Sequence, residues 1–215
     1  MAQNRAEASS PAVARVGGVP LAPGDHVCVL YRGRAERNEL MAPFFADGLR
    51  EGHICLLLAA QGEGRAFCDV LATEVPSVGA ESDHLQIKGP EESCLQDGSF
   101  DRDRMLALLH AWSGDMFRNS DGDFARLAAD MSWAQPLVQP GFIRDLVRYE
   151  MEATCRLTSY PQVRICMYDL ELFNGDLIIP LVKAHPRVWL SGMVVENPYY
   201  LAPSMESSPT AVGEN

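Results

Sequence analysis

The sequence predicts an α/β protein with three layers, in which helices cover both faces of a mostly parallel central sheet. Two observations lead to this prediction. Short apolar runs and period-two segments alternate along the chain with stretches whose apolar residues recur at helical spacing. The 215 residues, 47% of them hydrophobic, are also enough for one well-buried core and do not require a second domain.

The first half of the chain contains three predicted strands and two predicted helices. The run His26–Tyr31 is typical of a buried strand, and Ala35–Arg50 has an inward apolar stripe typical of a helix. Ile54–Ala60 is continuously apolar, which indicates a strand buried on both faces. Arg65–Val75 is predicted as a helix that stops before a proline, and His84–Lys88 as a short edge strand.

The second half continues the same alternation. Its clearest element is a helix with acidic residues at its start, where they complement the helix dipole. The predicted elements are a helix at Asp101–Phe117, a strand at Phe124–Met131, a helix at Gly141–Leu157, a strand at Val163–Asp169, a short helix before His185–Pro186, and a closing strand at Val188–Val195.

Both ends of the chain differ from its middle. Residues 1–20 and 203–215 are rich in Ala, Ser, Pro, Gly and Glu without an apolar period, so we predict disordered tails around a single domain at 21–202. The start has no apolar segment of the signal-peptide kind, and the longest apolar run is too short to cross a bilayer. The sequence therefore predicts a cytoplasmic protein that does not contact membranes.

Charge and cysteine content argue against a nucleic-acid-binding protein and against a zinc-finger protein. A formal net charge of −11 and a pI of about 4.8 would repel a phosphate backbone, so direct binding of nucleic acid is not expected. The six cysteines have no CxxC or zinc-finger spacing, and we expect reduced thiols without a cofactor.

The segment GDHVCVLYRGRAERNELMAPFFADGLREGHICLLLA resembles the beginning of KaiC-type RecA ATPases, with strand, loop, helix and second strand at similar spacing. Those ATPases need a G-x-x-x-x-G-K-[ST] loop after the first strand to hold phosphates and Mg²⁺. Here Tyr31–Glu36 reads YRGRAE, with one glycine, no lysine and no serine or threonine. This sequence therefore lacks a Walker A loop, and we expect no nucleotide hydrolysis and no enzymatic activity.

Further segments extend the resemblance. LAADMSWA, RYE, CMYD, AHP and ENPYY occur in this order after the first helices, and together with the altered loop they resemble the MEDS family, the methanogen/methylotroph, DcmR sensory domains. The resemblance covers Gly24 to Pro203. It implies a RecA/KaiC-like fold without a phosphate loop, and a domain that senses small molecules such as hydrocarbon derivatives.

Four residues of two predicted strands form a first candidate site. His26 and Cys28 lie two apart and point to one face of their strand, and Cys166 and Tyr168 do the same on theirs. The RecA-like strand order would make the two strands neighbours. The set is predicted to contact a ligand. His26, Cys28 and Cys166 are only weak metal candidates, and core packing is the alternative.

A second candidate site lies where strands end. Asp130 and Asp169 close two predicted strands, and open α/β sheets bind ligands beyond the carboxyl ends of their strands. Tyr31 and Glu36 flank the altered loop, and Trp133 could line an apolar pocket. The alternatives are an aspartate that caps the following turn, a glutamate that serves the helix dipole, and a tryptophan in the core.

Glu150 and His185 complete the predicted ligand-binding set. The spacing of Glu150 with Ile143 and Val147 places its carboxylate on or beside the apolar face of a helix. A half-exposed boundary position is the default for such a residue. His185 precedes Pro186 and is predicted to cap a helix end, where a protonated imidazole is favoured.

The sequence thus favours a regulatory module that binds a small apolar or mixed-polarity ligand and passes the ligand state to a protein partner or to a second copy of the chain. Two alternatives remain open. One is a protein interaction module of a kinase or anti-sigma-type system, and the other is a redox sensor based on thiols or a metal.

Overall fold

The computed structural model describes residues 14–60, 62–76, 83–119 and 124–202. The strands are β1 (Ala14–Val16), β2 (Val19–Leu21), β3 (His26–Tyr31), β4 (Ile54–Leu58), β5 (Leu85–Lys88), β6 (Leu95–Gln96), β7 (Ser99–Phe100), β8 (Ala125–Asp130), β9 (Gln162–Asp169), β10 (Arg187–Leu190) and β11 (Met193–Glu196). The helices are α1 (Gly33–Arg50), α2 (Glu63–Glu74), α3 (Pro90–Ser93), α4 (Arg102–Asn119), α5 (Pro140–Leu157) and α6 (Gly175–Ala184), with a 3₁₀ helix at Met131–Leu137.

Seven strands form one central sheet in the order β11-β10-β3-β9-β8-β4-β5. All neighbours in it are parallel except β10 and β11, which pair antiparallel. Parallel strands need long crossover connections, and the helices supply them. The predicted three-layer α/β/α architecture with a mostly parallel sheet is confirmed.

The alternation of side chains along β3 connects the sheet to both helical layers. All six of its residues are buried, as expected for a parallel strand covered on both faces. Cys28 and Leu30 belong to the core formed with α4, α5 and α6. Val27, Val29 and Tyr31 belong to the core formed with α1 and α2. His26 has the same parity as Cys28 and therefore lies on the α5 and α6 side.

Three two-residue turns were not predicted from the sequence. Gly17-Gly18 joins β1 to β2, Asp97-Gly98 joins β6 to β7, and Ser191-Gly192 joins β10 to β11. All six turn residues have positive φ, between 50° and 85°. That conformation matches the twist of a hairpin and favours glycine, which explains why each turn contains at least one.

Two sequence predictions are corrected by these hairpins. The predicted tail at 1–20 is wrong for residues 14–20, because β1 and β2 pair and bury Ala14 and Val16 completely. The single closing strand Val188–Val195 is instead the β10–β11 hairpin. Residues 1–13 and the predicted tail at 203–215 lie outside the described residues.

No helix among the described residues is both long enough and apolar enough to cross a membrane.

Helix α1 approaches the sheet closely at Gly48. A Cβ there would lie 2.7 Å from Cδ of Arg126 and 3.1 Å from Sγ of Cys55. Arg126 cannot easily move aside, because its side chain is buried and donates hydrogen bonds to the Phe44 carbonyl oxygen and to Glu51 Oε2, each at 2.8 Å. The absence of a side chain at position 48 therefore sets the distance between α1 and β8.

We expect Gly48→Ala to lower the free energy of unfolding by about 1–3 kcal/mol, because the new methyl group overpacks this contact. Gly114→Ala in α4 is the matched control, since its nearest neighbour would lie 3.5 Å away. That variant should gain about 0.4–1 kcal/mol from the lower entropy of its unfolded chain. Urea unfolding of both variants measures the difference, and equal stabilisation of both would contradict the close approach.

Candidate functional site

Five polar residues meet between the sheet and helices α5 and α6. His26 begins β3, Cys166 and Tyr168 lie on the adjacent β9, Glu150 projects from α5, and His185 ends α6. All five are at most 3% exposed. We call these residues the buried cluster. The pairing of β3 with β9 places the first candidate set on neighbouring strands and on one face.

The carboxylate of Glu150 is the centre of the buried cluster. The Tyr168 hydroxyl donates to its Oε1 at 2.5 Å, and the Cys166 thiol donates to its Oε2 at 3.5 Å. Nε2 of His26 lies 3.3 Å from Oε2, and Nε2 of His185 lies 3.5 Å from it. Glu150 is fully buried, so the expected half-exposed boundary position is wrong. Its partners come from strands and a helix end distant in sequence.

The outer nitrogens of both imidazoles have their own partners. Nδ1 of His185 donates to the carbonyl oxygen of Leu181 at 2.8 Å, which fixes this ring at the end of α6. Nδ1 of His26 lies 2.7 Å from Oγ1 of Thr154, whose hydroxyl donates to the backbone oxygen of Glu150. The Thr154 oxygen therefore accepts from Nδ1–H of His26. The Nε2 atoms are thus the ring nitrogens that face Glu150.

Burial decides the charge state of the first imidazole. Desolvation, followed by the charges of Arg164 and His185, lowers the pKa of His26 from 6.5 to about 3. Burial opposes ionisation of Glu150 as well, but the adjacent imidazoles, His185 before His26, hold the pKa of its carboxyl below the usual 4.5.

Arg164 is a buried cation that the sequence analysis missed. It is 2% exposed, and its Nη1 donates to the carbonyl oxygen of Ala153 at 2.7 Å. Nε and Nη2 have no hydrogen-bond partner among the described residues. Its charge acts on Glu150, His26 and Cys166. The available signal was an arginine inside the otherwise apolar run VRICMYD.

Cys28 lies beside the buried cluster, in register with Cys166 on the neighbouring strand. Burial, followed by the negative charge of Glu150, raises the pKa of both thiols well above 9.0. Protonated thiols are poor nucleophiles, which disfavours a peroxide-sensing role for this pair. Of the three weak metal candidates, His26 and Cys166 approach Glu150 and His185, whereas Cys28 is not among the donor atoms that converge.

The strand-end candidates lie on the opposite face of the sheet and bond within the chain. Oδ2 of Asp130 accepts from Nη1 of Arg37 at 2.6 Å, and its Oδ1 accepts from the N–H of Ser132 at 3.0 Å. Asp169 Oδ1 accepts from the N–H groups of Gly33 and Glu171, at 3.1 and 2.8 Å. Both aspartates therefore cap the turns that follow their strands.

Arginines of helix α1 form ion pairs beside the segment Tyr31–Glu36. Arg37 also donates to Glu63 Oε2 at 3.0 Å, and Arg34 pairs with the other oxygen of Glu63. Oε2 of Glu36 accepts from the N–H of Arg32 at 2.6 Å, at the start of α1. Arg37 was missed, although it shares the inward stripe of α1 with Leu40, and a charge on such a stripe was the signal.

Tyr31 and Trp133 have packing roles in this region. Burial, followed by the charges of Asp130 and Asp169, raises the pKa of the Tyr31 hydroxyl well above 10.0. Trp133 lies in the 3₁₀ helix and packs against Phe100 and Phe142, with ring centroids 5.8 and 6.1 Å away. Trp133 does not line the pocket described next, so its predicted place in a ligand pocket is not observed there.

A small pocket opens at the carboxyl ends of β8 and β9, on the side of α6. We call it the strand-end pocket. Its volume is 260 Å³, and it is lined by Gln135, Val138, Leu172, Phe173, Asn174 and Leu177. The ring of Phe173 lies against that of Tyr168, with centroids 6.2 Å apart. The pocket is therefore linked to the Glu150 carboxylate through one aromatic contact and one hydrogen bond.

The chain is thus an α/β protein with two groups of polar residues. One lies at the ends of the strands, and the other is the buried cluster. A solved structure with the same general fold is an uncharacterized protein, PH0321, from Pyrococcus horikoshii, in complex with an unknown peptide. Its TM-score is 0.62 at 10% identity, over 80% of this chain and 78% of that one. The likeness concerns the fold alone.

The sequence comparisons identify the family. The family model MEDS, the MEthanogen/methylotroph, DcmR Sensory domain, matches residues 25–186, and the chain belongs to this family. It is also 28% identical over 172 residues to the transcriptional repressor DcmR of Methylorubrum extorquens strain DM4. That match covers 80% of this chain and 62% of the repressor, so the chain spans less than two thirds of its relative. Both findings support a sensory or regulatory role.

We expect Arg37→Met to lower the free energy of unfolding by about 3–5 kcal/mol, because it leaves the carboxylate of Asp130 buried without a cation. Arg34→Met is the matched control. The Arg34 side chain is 62% exposed, so the same exchange there should change stability by at most about 1 kcal/mol. Urea unfolding measures both. Equal effects would show that the Arg37–Asp130 pair is not the stabilising contact of this region.

The six thiols should separate into two groups by accessibility. Cys155 is exposed and Cys68 half-buried, whereas Cys28, Cys55, Cys94 and Cys166 are buried. We expect a maleimide reagent to label Cys155 first and Cys68 more slowly, with the other four reacting only as the chain opens. Mass spectrometry of peptides after timed labelling measures the order. Early labelling of Cys28 or Cys55 would contradict the packing described for β3 and β4.

Proposed function

We propose that this chain is a ligand-responsive regulatory module that binds a small, weakly polar molecule in the strand-end pocket and reports its presence to a protein partner, without hydrolysing ATP. The observation that carries this proposal is the contact between the pocket and the buried cluster through Phe173 and Tyr168. The supporting comparisons are the MEDS sensory family and the likeness to a transcriptional repressor.

The size and lining of the pocket favour a small ligand. Its 260 Å³ is just below the roughly 300–1,000 Å³ of sites for drug-sized molecules. Leu177 and Phe173 are buried in its wall, and Gln135 and Asn174 supply polar groups at its edge. A molecule with a few carbon atoms and one polar substituent fits this combination. This chemistry agrees with the hydrocarbon derivatives that the family resemblance implies.

The path from pocket to buried cluster can transmit a change of state. A ligand that displaces the ring of Phe173 disturbs Tyr168, whose hydroxyl is bonded to Glu150. Glu150 in turn faces His185 at the end of α6. A ligand shifts such an equilibrium only by its difference in affinity between the two arrangements, so the Phe173 position has to differ between them.

The β10–β11 hairpin is the output surface in this proposal. It begins two residues after His185, and Nδ2 of Asn197 donates to the carbonyl oxygens of His185 and Val182, at 2.9 and 2.6 Å. Strand β11 is the edge of the sheet and exposes Met193 and Val195. An outermost strand with exposed apolar side chains is suited to pairing with a strand of another protein.

The charged residues at Tyr31–Glu36 and their ion pairs disfavour nucleotide hydrolysis. The segment YRGRAE lacks the lysine and the serine or threonine that a phosphate loop supplies. Arg37, which could have met a phosphate, is already paired with Asp130 and Glu63. ATP binding would have to break both ion pairs without a loop that offers replacements.

A thermal-shift panel of small apolar and weakly polar molecules tests the proposal. A ligand at 100 times its dissociation constant should stabilise the native protein by about 2.7 kcal/mol, because it binds only the folded chain. ATP with Mg²⁺ should produce no shift. Leu172→Trp should fill the pocket mouth and abolish the response, whereas Ile179→Trp, on an exposed position of α6 outside the pocket, should keep it.

Two outcomes would overturn this proposal. The first is an equal ligand response in the Leu172→Trp and Ile179→Trp variants, because the pocket would then not be the binding site. The second is a strong shift with ATP and Mg²⁺, because the closed ion-pair network would then be open to nucleotide.

A further inference from the structure

Four atoms of the buried cluster converge as the ligands of a metal ion do. They are Nε2 of His26, Nε2 of His185, Sγ of Cys166 and a carboxylate oxygen of Glu150, and all lie within 4.8 Å of one another. Ligands placed tetrahedrally around zinc, at about 2.0–2.3 Å from the ion, are separated by about 3.2–3.8 Å. The contacts His26–Cys166, His26–Glu150, Cys166–Glu150 and His185–Glu150 measure 3.2, 3.3, 3.5 and 3.5 Å.

The hydrogen bonds around these atoms leave their lone pairs directed at one another. Nδ1–H of His185 is used by the Leu181 carbonyl, and Nδ1–H of His26 by the Thr154 hydroxyl. The two Nε2 atoms, Oε2 of Glu150 and the Cys166 sulfur are then the atoms that face one another. Among the described residues, Nε2 of His185 is fully buried and has no hydrogen-bond partner. A buried nitrogen without a partner, aimed into such a cluster, indicates a ligand that the chain itself does not supply.

The outer contacts also match those of metal ligands. A ligating histidine commonly donates its other N–H to a carbonyl or an oxygen acceptor, which orients the ring and fixes its tautomer. Both imidazoles do this here, through Leu181 and Thr154. The second oxygen of Glu150 accepts from the Tyr168 hydroxyl, which leaves Oε2 for the centre of the cluster. Four donor atoms are thus held by neighbours that are not themselves ligands.

We propose that His26, Glu150, Cys166 and His185 bind one divalent d-block ion, with zinc the best match, in a closed four-coordinate site. Two imidazoles, a thiolate and a carboxylate favour zinc-class ions over Mg²⁺ or Ca²⁺, which take oxygen ligands. When the ion binds, the Cys166 sulfur forms a bond to it and releases its thiol proton to solvent, with no change of oxidation state. The two negative ligands then neutralise the ion, beside the positive charge of Arg164.

Burial gives this site a structural role. The four ligands are at most 3% exposed, so no position is open for a substrate or for bulk water. The ion would join β3, early in the chain, to α5, β9 and the end of α6, which follow one another later. This inference does not depend on the strand-end pocket, whose lining shares no residue with the four ligands.

Metal analysis and cobalt substitution test the site in the whole chain. Protein purified under reducing conditions without chelator, or stripped and reloaded with Zn²⁺, should contain about one ion per chain and melt at a higher temperature than the stripped form. Co²⁺ in place of Zn²⁺ should give the visible d–d bands of a tetrahedral ion and a thiolate-to-cobalt charge-transfer band. That band reports the Cys166–metal bond directly in the unmodified protein.

Variants separate ligand loss from loss of a buried thiol. Cys166→Ser should weaken Zn²⁺ affinity by at least about 10–100-fold and remove the charge-transfer band. Cys55→Ser, which removes an equally buried thiol on the opposite face of the sheet, should retain both. Tyr168→Phe keeps all four ligands and should bind Zn²⁺ more weakly, so it tests the site even if Cys166→Ser does not fold.

Three results would overturn the metal site. The first is a folded wild-type chain that neither contains nor takes up Zn²⁺ or Co²⁺ in stoichiometric amount. The second is a cobalt complex without the thiolate band. The third is an equal loss of metal in the Cys55→Ser and Cys166→Ser variants. None of these results would affect the ligand response of the strand-end pocket, so the two proposals fail separately.

Discussion

The complete burial of Glu150 is the constraint on which the arrangement of this domain depends. A carboxylate that reaches no water has to receive all of its hydrogen bonds and its compensating charge from the surrounding chain. Here those groups come from β3, β9 and the end of α6, so the position of one side chain on α5 ties four elements together. The crossing of α5 over the sheet and the docking of α6 are therefore linked by electrostatics as well as by apolar packing.

The two faces of the sheet use charge in different ways. On the α1 side, Arg34 and Arg37 form ion pairs with Glu63 and Asp130, at the end of β3 where helix α1 begins. On the α5 and α6 side, the donor atoms of the buried cluster converge, and among the described residues Nε2 of His185 has no hydrogen-bond partner. The polar groups of the first arrangement are paired with one another, whereas those of the second leave one buried nitrogen unpaired.

The sequence predicted the layers well, because solid apolar runs and helical stripes report burial directly. It placed His26, Cys28, Cys166 and Tyr168 on shared faces for the same reason, since strand parity is a local property. It failed for the three hairpins, although Gly17-Gly18, Asp97-Gly98 and Ser191-Gly192 are the dipeptides that such turns favour. Those short strands carry too few residues for a clear period. The environments of Glu150 and Arg164 could not be predicted, because their partners meet them only in the folded chain.

The depth of the buried cluster also separates two timescales. The strand-end pocket is in contact with solvent and can follow changes in concentration as quickly as small molecules diffuse. Exchange of anything held by the buried cluster has to wait for helices α5 and α6 to part from the sheet, an event governed by the rate of local unfolding. One domain can thus combine a rim that exchanges small molecules rapidly with an interior that exchanges them only when its helices open.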